Sequence, residues 1–159
     1  MLSSVQEKLK LRLRPVDPQS IADLGFLFGV LERRLQEPKC NISHKKRPPF
    51  DEHVRFVESR PYVGHYTIVV GSGEISAGVC YFDRMRQIGI WISPEWRRYG
   101  IGRWVLQQLV ARHGLPLLAN VNPENQPGQH FFADAGFVLH STEDVQIIMK
   151  LDEPAVVSA

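Results

Sequence analysis

Only two cysteines, Cys40 and Cys80, occur in the 159 residues, far apart, with no CxxC and no Cys/His pair at metal-ligand spacing. That scarcity argues against a disulfide framework and a structural metal site, and both thiols are expected unpaired, as in a reducing compartment. An excess of one charge is missing as well: 19 Lys and Arg stand against 17 Asp and Glu, a formal net charge of +2. A general binder of nucleic acid or membrane surfaces needs a large basic excess to neutralise many phosphates, so neither partner is expected. Long apolar runs are absent too. The best stretch, residues 61–73, falls short of the roughly 20 residues of a membrane span and contains His65. The first residues reach Glu7 and Lys8 before any signal-length apolar core forms, and the expected location is cytoplasmic. With no repeat, low-complexity tract or long linker, the expectation is a single domain over 1–152 and a flexible tail over 153–159.

What is present is 43% hydrophobic residues in ordered patterns. Residues 8–14 alternate basic residues with Leu9, Leu11 and Leu13, as a strand with one apolar face would. Asp17 and Pro18 then offer a cap and a first-turn proline to a helix bearing Ile21, Leu24, Leu27, Phe28, Leu31 and Leu35 at helical spacing. A polar loop over 37–49 leads to a shorter helix marked by Phe50, Val54 and Val57. Strands are predicted over 66–70, 75–82 and 88–92, with turns at 71–73 and 83–86. A helix over 102–113 stops at Gly114, a strand follows over 117–121, a helix over 129–135 stops at Gly136, and strands over 137–140 and 145–151 close the chain. The order β-α-α-β-β-β-α-β-α-β-β mixes hairpins with βαβ crossovers. It implies a mixed α/β sheet with helices on both faces.

The chemistry-bearing stretch is the strand-to-helix junction around Arg97-Arg98-Tyr99-Gly100-Ile101-Gly102-Arg103. Gly100 and Gly102 carry no Cβ, the first-turn N–H groups of the helix are unpaired, and three arginines add positive charge. A pyrophosphate is the natural guest. The spacing fits a Rossmann fingerprint poorly for want of a third glycine, and a Walker A loop is excluded by the missing Gly-Lys-Ser/Thr.

Arg97-Arg98-Tyr99-Gly100-Ile101-Gly102 resembles the Gln/Arg-x-x-Gly-x-Gly/Ala signature of the GNAT acetyltransferase superfamily. A second landmark, Val121-Asn122-Pro123-Glu124-Asn125 followed by Phe131 to Phe137, is similar to that family's strand, asparagine-bearing turn, helix and Gly-Phe. The resemblance implies a GNAT-like α/β fold: a mixed, mostly antiparallel sheet with helices on both faces. It also implies acetyl-CoA as acyl donor and an amine as acceptor, with direct attack and no covalent enzyme intermediate. By the same resemblance the main chain at Ile90 and Ile92 holds the pantetheine arm, the amides of Arg98, Tyr99, Gly100, Ile101, Gly102 and Arg103 hold the pyrophosphate beside Arg97, and Asn125 and Phe132 lie at the cofactor. A homodimer is a further possibility that the family suggests.

The pattern departs from the family where acid and base chemistry is concerned. Phe132 stands where many members have a tyrosine that protonates the leaving thiolate, leaving Tyr81, Tyr99 or water for that task. Gln87 and Asn120 occupy positions where members that use a carboxylate base often place it, and an amide cannot act as a base. Either the acceptor amine already has a low pKa, or a water chain or a histidine supplies the base, or activity is lost; among the six histidines His44, in the loop that typically covers the acceptor site, is the candidate. Asn120 and Asn122 share one strand face and are candidate ligands for a carbonyl or hydroxyl of the acceptor, or equally caps of the following turn. The run His44-Lys45-Lys46-Arg47 reads as a solvated loop, and Trp91, Trp96 and Trp104 read as core. Two further functions stay open: a CoA-binding regulatory module without catalysis, and an acetyltransferase of a macromolecular amine.

Overall fold

A computed structural model describes residues 4–40, 46–143 and 145–153, with nothing stated of the Cys40 side chain. Helix α1 (Ser4–Leu9) precedes strand β1 (Arg12–Pro15), and helices α2 (Ile21–Leu35) and α3 (Phe50–Glu58) follow it. Strands β2 (Gly64–Val70), β3 (Ile75–Phe82) and β4 (Gln87–Ile92) form a meander that leads into α4 (Ile101–His113). The chain closes with β5 (Leu117–Val121), α5 (Gln126–Asp134), β6 (Val138–Thr142) and β7 (Ile147–Leu151). The strands make one seven-stranded sheet in the order β1-β2-β3-β4-β5-β7-β6. Every pair is antiparallel except β4 with β5. This is the mixed, mostly antiparallel sheet that the sequence implies. None of its described helices is long and apolar enough to cross a membrane.

Each sheet face is covered. On one, Cys80, Phe82, Ile88, Leu117, Ala119 and Val121 pack with Trp104, Val105 and Leu109 of α4. On the other, Val79 and Trp91 meet Leu24, Leu27 and Val30 of α2 and Val57 of α3. Alternation along β3 and β4 explains the split, since successive side chains of a strand point to opposite faces. Trp91 and Trp104 are buried as expected, and Trp96 is partly buried against the α4 side.

Several expectations need correction. The alternating run 8–14 is not one strand: Leu9 ends a helix, Lys10 turns the chain at a positive φ of 50°, and only Arg12–Pro15 pairs with β2. Leu11 and Leu13 are buried in either arrangement, so alternation alone could not place the boundary. Helix α2 is capped by Ser20, whose hydroxyl accepts from Asp23 N, while Asp17 closes the turn before it by accepting from Gln19 N. Ile21 is consequently a first-turn residue and 83% exposed, outside the apolar stripe. Helix α5 starts at Gln126, three residues before the expected 129, because Asn125 caps it and Pro127 fits its first turn.

Candidate active site

The pairing of β4 with β5 ends after Gln87 with Leu118 and Ile88 with Ala119. Beyond that point the two strands part. The facing of each peptide follows from the ladder: Arg86 O accepts from Leu118 N on the β5 side, whereas Gln87 O accepts from Asp83 N and Ser93 N donates to Ala77 O on the β3 side. Even-numbered residues of β4 thus turn their peptides toward β5, and those of Ile90 and Ile92 face the gap. Ile92 O is taken by Arg97 Nε at 2.8 Å. The N–H groups of both isoleucines and the carbonyl of Ile90 have no strand to pair with, which suits an extended ligand carrying amides.

The gap leads to the junction before α4. Gly100 caps that helix at φ 82°, a left-handed conformation that favours glycine, and Arg98 precedes it at φ 70°. Among the described residues no acceptor is found for the backbone N–H groups of Arg98 through Arg103. A Cβ built on Gly100 would meet nothing nearer than Val5 Cγ2 at 3.9 Å. The loop borders a cavity of about 510 Å³ that Arg98, Arg103 and Phe131 also line. A row of free amides at a helix start, open space over a glycine and two exposed arginines fit a pyrophosphate.

Other expected cofactor residues are occupied differently. Arg97 grips Glu37 through both terminal nitrogens, at 2.7 and 2.8 Å, so its guanidinium is an ion-pair partner. That contact holds the Glu37 carboxyl below its ordinary range, with the hydrogen bond from Arg97 the chief cause. Asn125 Oδ1 accepts from Gly128 N at 3.0 Å, as the cap of α5. Phe132 packs on Phe131 and Phe137, and it is Phe131 that lines the cavity. Ile101 is buried and contributes only main chain, and Tyr99 is 55% exposed near Trp96.

A model of the GNAT acetyltransferase domain matches residues 61–139, which includes β4, the junction and the turn before α5. The chain belongs to the GNAT superfamily. No curated protein sequence matches it. Among solved structures, a domain from Methanocaldococcus jannaschii shares 18% identity at a TM-score of 0.74, over 91% of this chain and 99% of that one. The protein yncA of Salmonella typhimurium, solved with its cofactor acetyl-CoA, shares 17% at a TM-score of 0.69, over 94% and 98%. Spermidine N-acetyltransferase from Vibrio cholerae, in complex with CoA and spermine, shares 16% at 0.68, over 88% and 92%. At such identities these likenesses concern the fold.

This GNAT domain has a second cavity, of about 320 Å³, between the sheet and helices α2 and α3. Gly89, Ile90 and Trp91 form part of its wall, so it meets the gap in the sheet. The Tyr81 ring lies across Gly89, where a Cβ would come within 2.1 Å of Cε1. Tyr62 stacks on Tyr81 at 4.1 Å, and His65 meets Tyr62 edge-on at 4.8 Å. Burial pushes both tyrosine hydroxyls up, keeping them protonated, and lowers His65 to about 4. Of the two tyrosines named from the sequence as proton donors, Tyr81 is therefore the one on this wall.

Asn120 and Asn122 do fall on one sheet face, since Leu117, Ala119 and Val121 enter the opposite core. Their situations differ. Asn120 Oδ1 is buried and finds no donor among the described residues, one residue past the last β4–β5 pair. Asn122 accepts from Glu124 N and donates to Pro38 O, serving the turn and the α2–α3 connection. His44 and Lys45 lie outside the described residues. Arg47 pairs with Glu32 at 2.6 Å and stacks on Phe28.

Sequence reading missed Arg34, Glu37, Tyr62 and Gly89, and it counted His65 among six candidate histidines but preferred His44. Two signals were available: Arg34 continues the inward spacing of Leu27 and Leu31, and Gly89 interrupts an otherwise apolar strand. The neutral His65 has a measurable consequence. Its folded pKa lies below its ordinary value of 6.5, so the unfolded chain takes up the proton first, and stability is lost as pH falls from about 6.5 to about 4. His113, also lowered, mainly by burial, acts in the same direction. We expect His65→Gln to flatten the fall in melting temperature across that window. The effect is about 2–3 kcal/mol at most, and an unchanged slope would show that His65 does not titrate as described.

Proposed function

We propose that the protein is an N-acetyltransferase that moves the acetyl group of acetyl-CoA to a primary amine of a small molecule by direct attack. The observation that carries this reading is continuity: the free amides after Arg97, the N–H groups of Ile90 and Ile92 with the Ile90 carbonyl, and the cavity beneath α2 and α3 follow one another along the gap. Acetyl-CoA, when bound, supplies an activated acyl group as its thioester. The amides of Arg98 to Arg103 would hold its diphosphate, and Ile90 and Ile92 its amide-bearing arm. The carbon–nitrogen bond forms as the carbon–sulfur bond breaks. One proton leaves the amine and one is taken up by the sulfur.

For the proton leaving the amine, the cavity offers the neutral imidazole of His65 and, at its exposed rim, Glu52. Asn120 Oδ1, an acceptor without a donor, suits an N–H of the incoming amine and so aligns it. Tyr81 is a protonated group able to supply the sulfur. A small acceptor is supported by the cavity volume of about 320 Å³ and by Arg47, whose charge is paired with Glu32 rather than left for a polyanion. Isothermal titration with acetyl-CoA tests the donor. Micromolar binding followed by thiol release with an amine is expected, and absence of binding to the folded protein would remove the proposal. Binding without thiol release across a broad amine panel would instead favour a CoA-binding regulatory module.

A further inference from the structure

The charges around the second cavity are unevenly matched. Arg33 pairs with Glu95, Arg47 with Glu32 and Arg97 with Glu37. Arg34 has no carboxylate partner among the described residues, although it lies in the same stretch of chain. Its position is unusual for a cation. Leu27, Leu31 and Arg34 recur at helical spacing and all three line the cavity, so α2 directs a guanidinium along the stripe it otherwise fills with leucine. A place in the last helical turn favours any cation through the backbone dipole, but does not require it to face inward. Arg34 acts electrostatically on the stacked Tyr62 and Tyr81, whose hydroxyls are protonated and cannot neutralise it.

Most of the remaining lining is apolar or aromatic, including Leu27, Leu31, Phe56 and the two tyrosines, with His53 and His65 as its polar members. The acidic group among the lining residues, Glu52, is exposed at the rim and forms no ion pair with Arg34. Arg34 is half-buried at the cavity wall, and a ligand carboxylate beside it would gain charge-assisted hydrogen bonds that no described carboxylate supplies. A wholly cationic acceptor such as a polyamine would add repulsion instead. The volume of about 320 Å³ accommodates one ring with a short chain.

We propose that the acceptor of this site is an amine that also carries a carboxylate on an aromatic or bulky apolar body, and that Arg34 is the counter-ion that selects it. This rests on the acetyl-transfer reading above. The guanidinium takes the carboxylate at the α2 side, the tyrosine pair packs on the body, and the amine is left toward Ile90 and Asn120 at the gap.

Matched pairs that differ only in the carboxylate test the idea: L-phenylalanine against phenethylamine, and L-leucine against isoamylamine, with spermidine as a polycation. Thiol release and titration into the CoA-loaded protein are both read. The unmodified protein should prefer the carboxylated member of a pair by roughly tenfold to a hundredfold in kcat/KM or affinity. Arg34→Gln should collapse that ratio toward one, mainly through KM, and Arg34→Lys should restore part of it. A preference for the decarboxylated member or spermidine, a ratio unmoved by Arg34→Gln, or no carboxylate-dependent binding or turnover in either pair overturns the inference. Acetyl-CoA affinity, measured on the same samples, separates the failures: its absence overturns the acetyl-transfer reading, whereas its presence without carboxylate preference overturns the role of Arg34 alone.

Discussion

Gly100→Val should leave a folded protein that binds acetyl-CoA at least a hundredfold more weakly than the parent. Two effects combine at this residue. Its φ of 82° is a conformation that a β-branched side chain tolerates badly, at a cost of about 1–3 kcal/mol. That strain lowers the melting temperature but does not by itself remove a binding site. The second effect does: Gly100 borders the larger cavity, and a Cβ on it meets nothing nearer than 3.9 Å, so the side chain of a valine would project into the room that a phosphate needs. Calorimetric titration checks affinity, and a thermal melt of the same sample checks folding. Parental affinity in a folded Gly100→Val protein would mean that the turn is structural only.

The largest expected loss of stability from one added carbon is at Gly78→Ala. Gly78 pairs with Ile92, and a Cβ on it would lie 2.2 Å from Trp91 O and 3.0 Å from Ile92 Cα. Both are main-chain atoms of β4, so no side chain can rotate away and the two strands must separate. A cost of about 3 kcal/mol is expected, which for a chain of this size lowers the melting temperature by roughly 6–12 °C. Gly25→Ala is the internal control. Gly25 is an exposed position inside α2 with nothing within 4 Å of a new Cβ, and alanine there should stabilise the helix by about 0.5–1 kcal/mol. Equal effects of the two substitutions in a denaturation series would refute the argument from close strand approach.

The residues explain which parts of this molecule can be read without coordinates. Strands Ile75–Phe82 and Leu117–Val121 were located from apolar runs bounded by turn residues, because their limits are set within a few positions of chain. The junction at Gly100 was legible for the same reason, since a strand end, a glycine turn and a helix start are local. Leu9, Leu11 and Leu13 were misread because burial on one face looks the same whether a helix or a strand delivers it. The cavity beneath α2 and α3 is legible in the sequence only as scattered hints at Arg34, Tyr81 and Gly89. Arg34, Tyr62, Tyr81 and Gly89 come from separate elements, and only the register that sets Tyr81 opposite Gly89 brings them together. Arg97 shows a third kind of limit: a signature position was recognised, but its partner Glu37 lies 60 residues away and nothing in either segment announces the pair.

The parting of β4 from β5 also bears on how this sheet avoids self-association. Unpaired strand groups invite pairing with other chains, and proteins ordinarily shield them at the sheet's outer rim. Here the exposed peptides of Ile90 and Ile92 lie in the interior of the strand order, with β3 on one side and the β5–β7 pair on the other. Another molecule's sheet cannot reach them without breaking its own ladder. A single slender chain can enter, so strand pairing at these groups is limited by the shape of the slot rather than by charge or proline, and the same donors and acceptors stay open to a ligand of one strand's width.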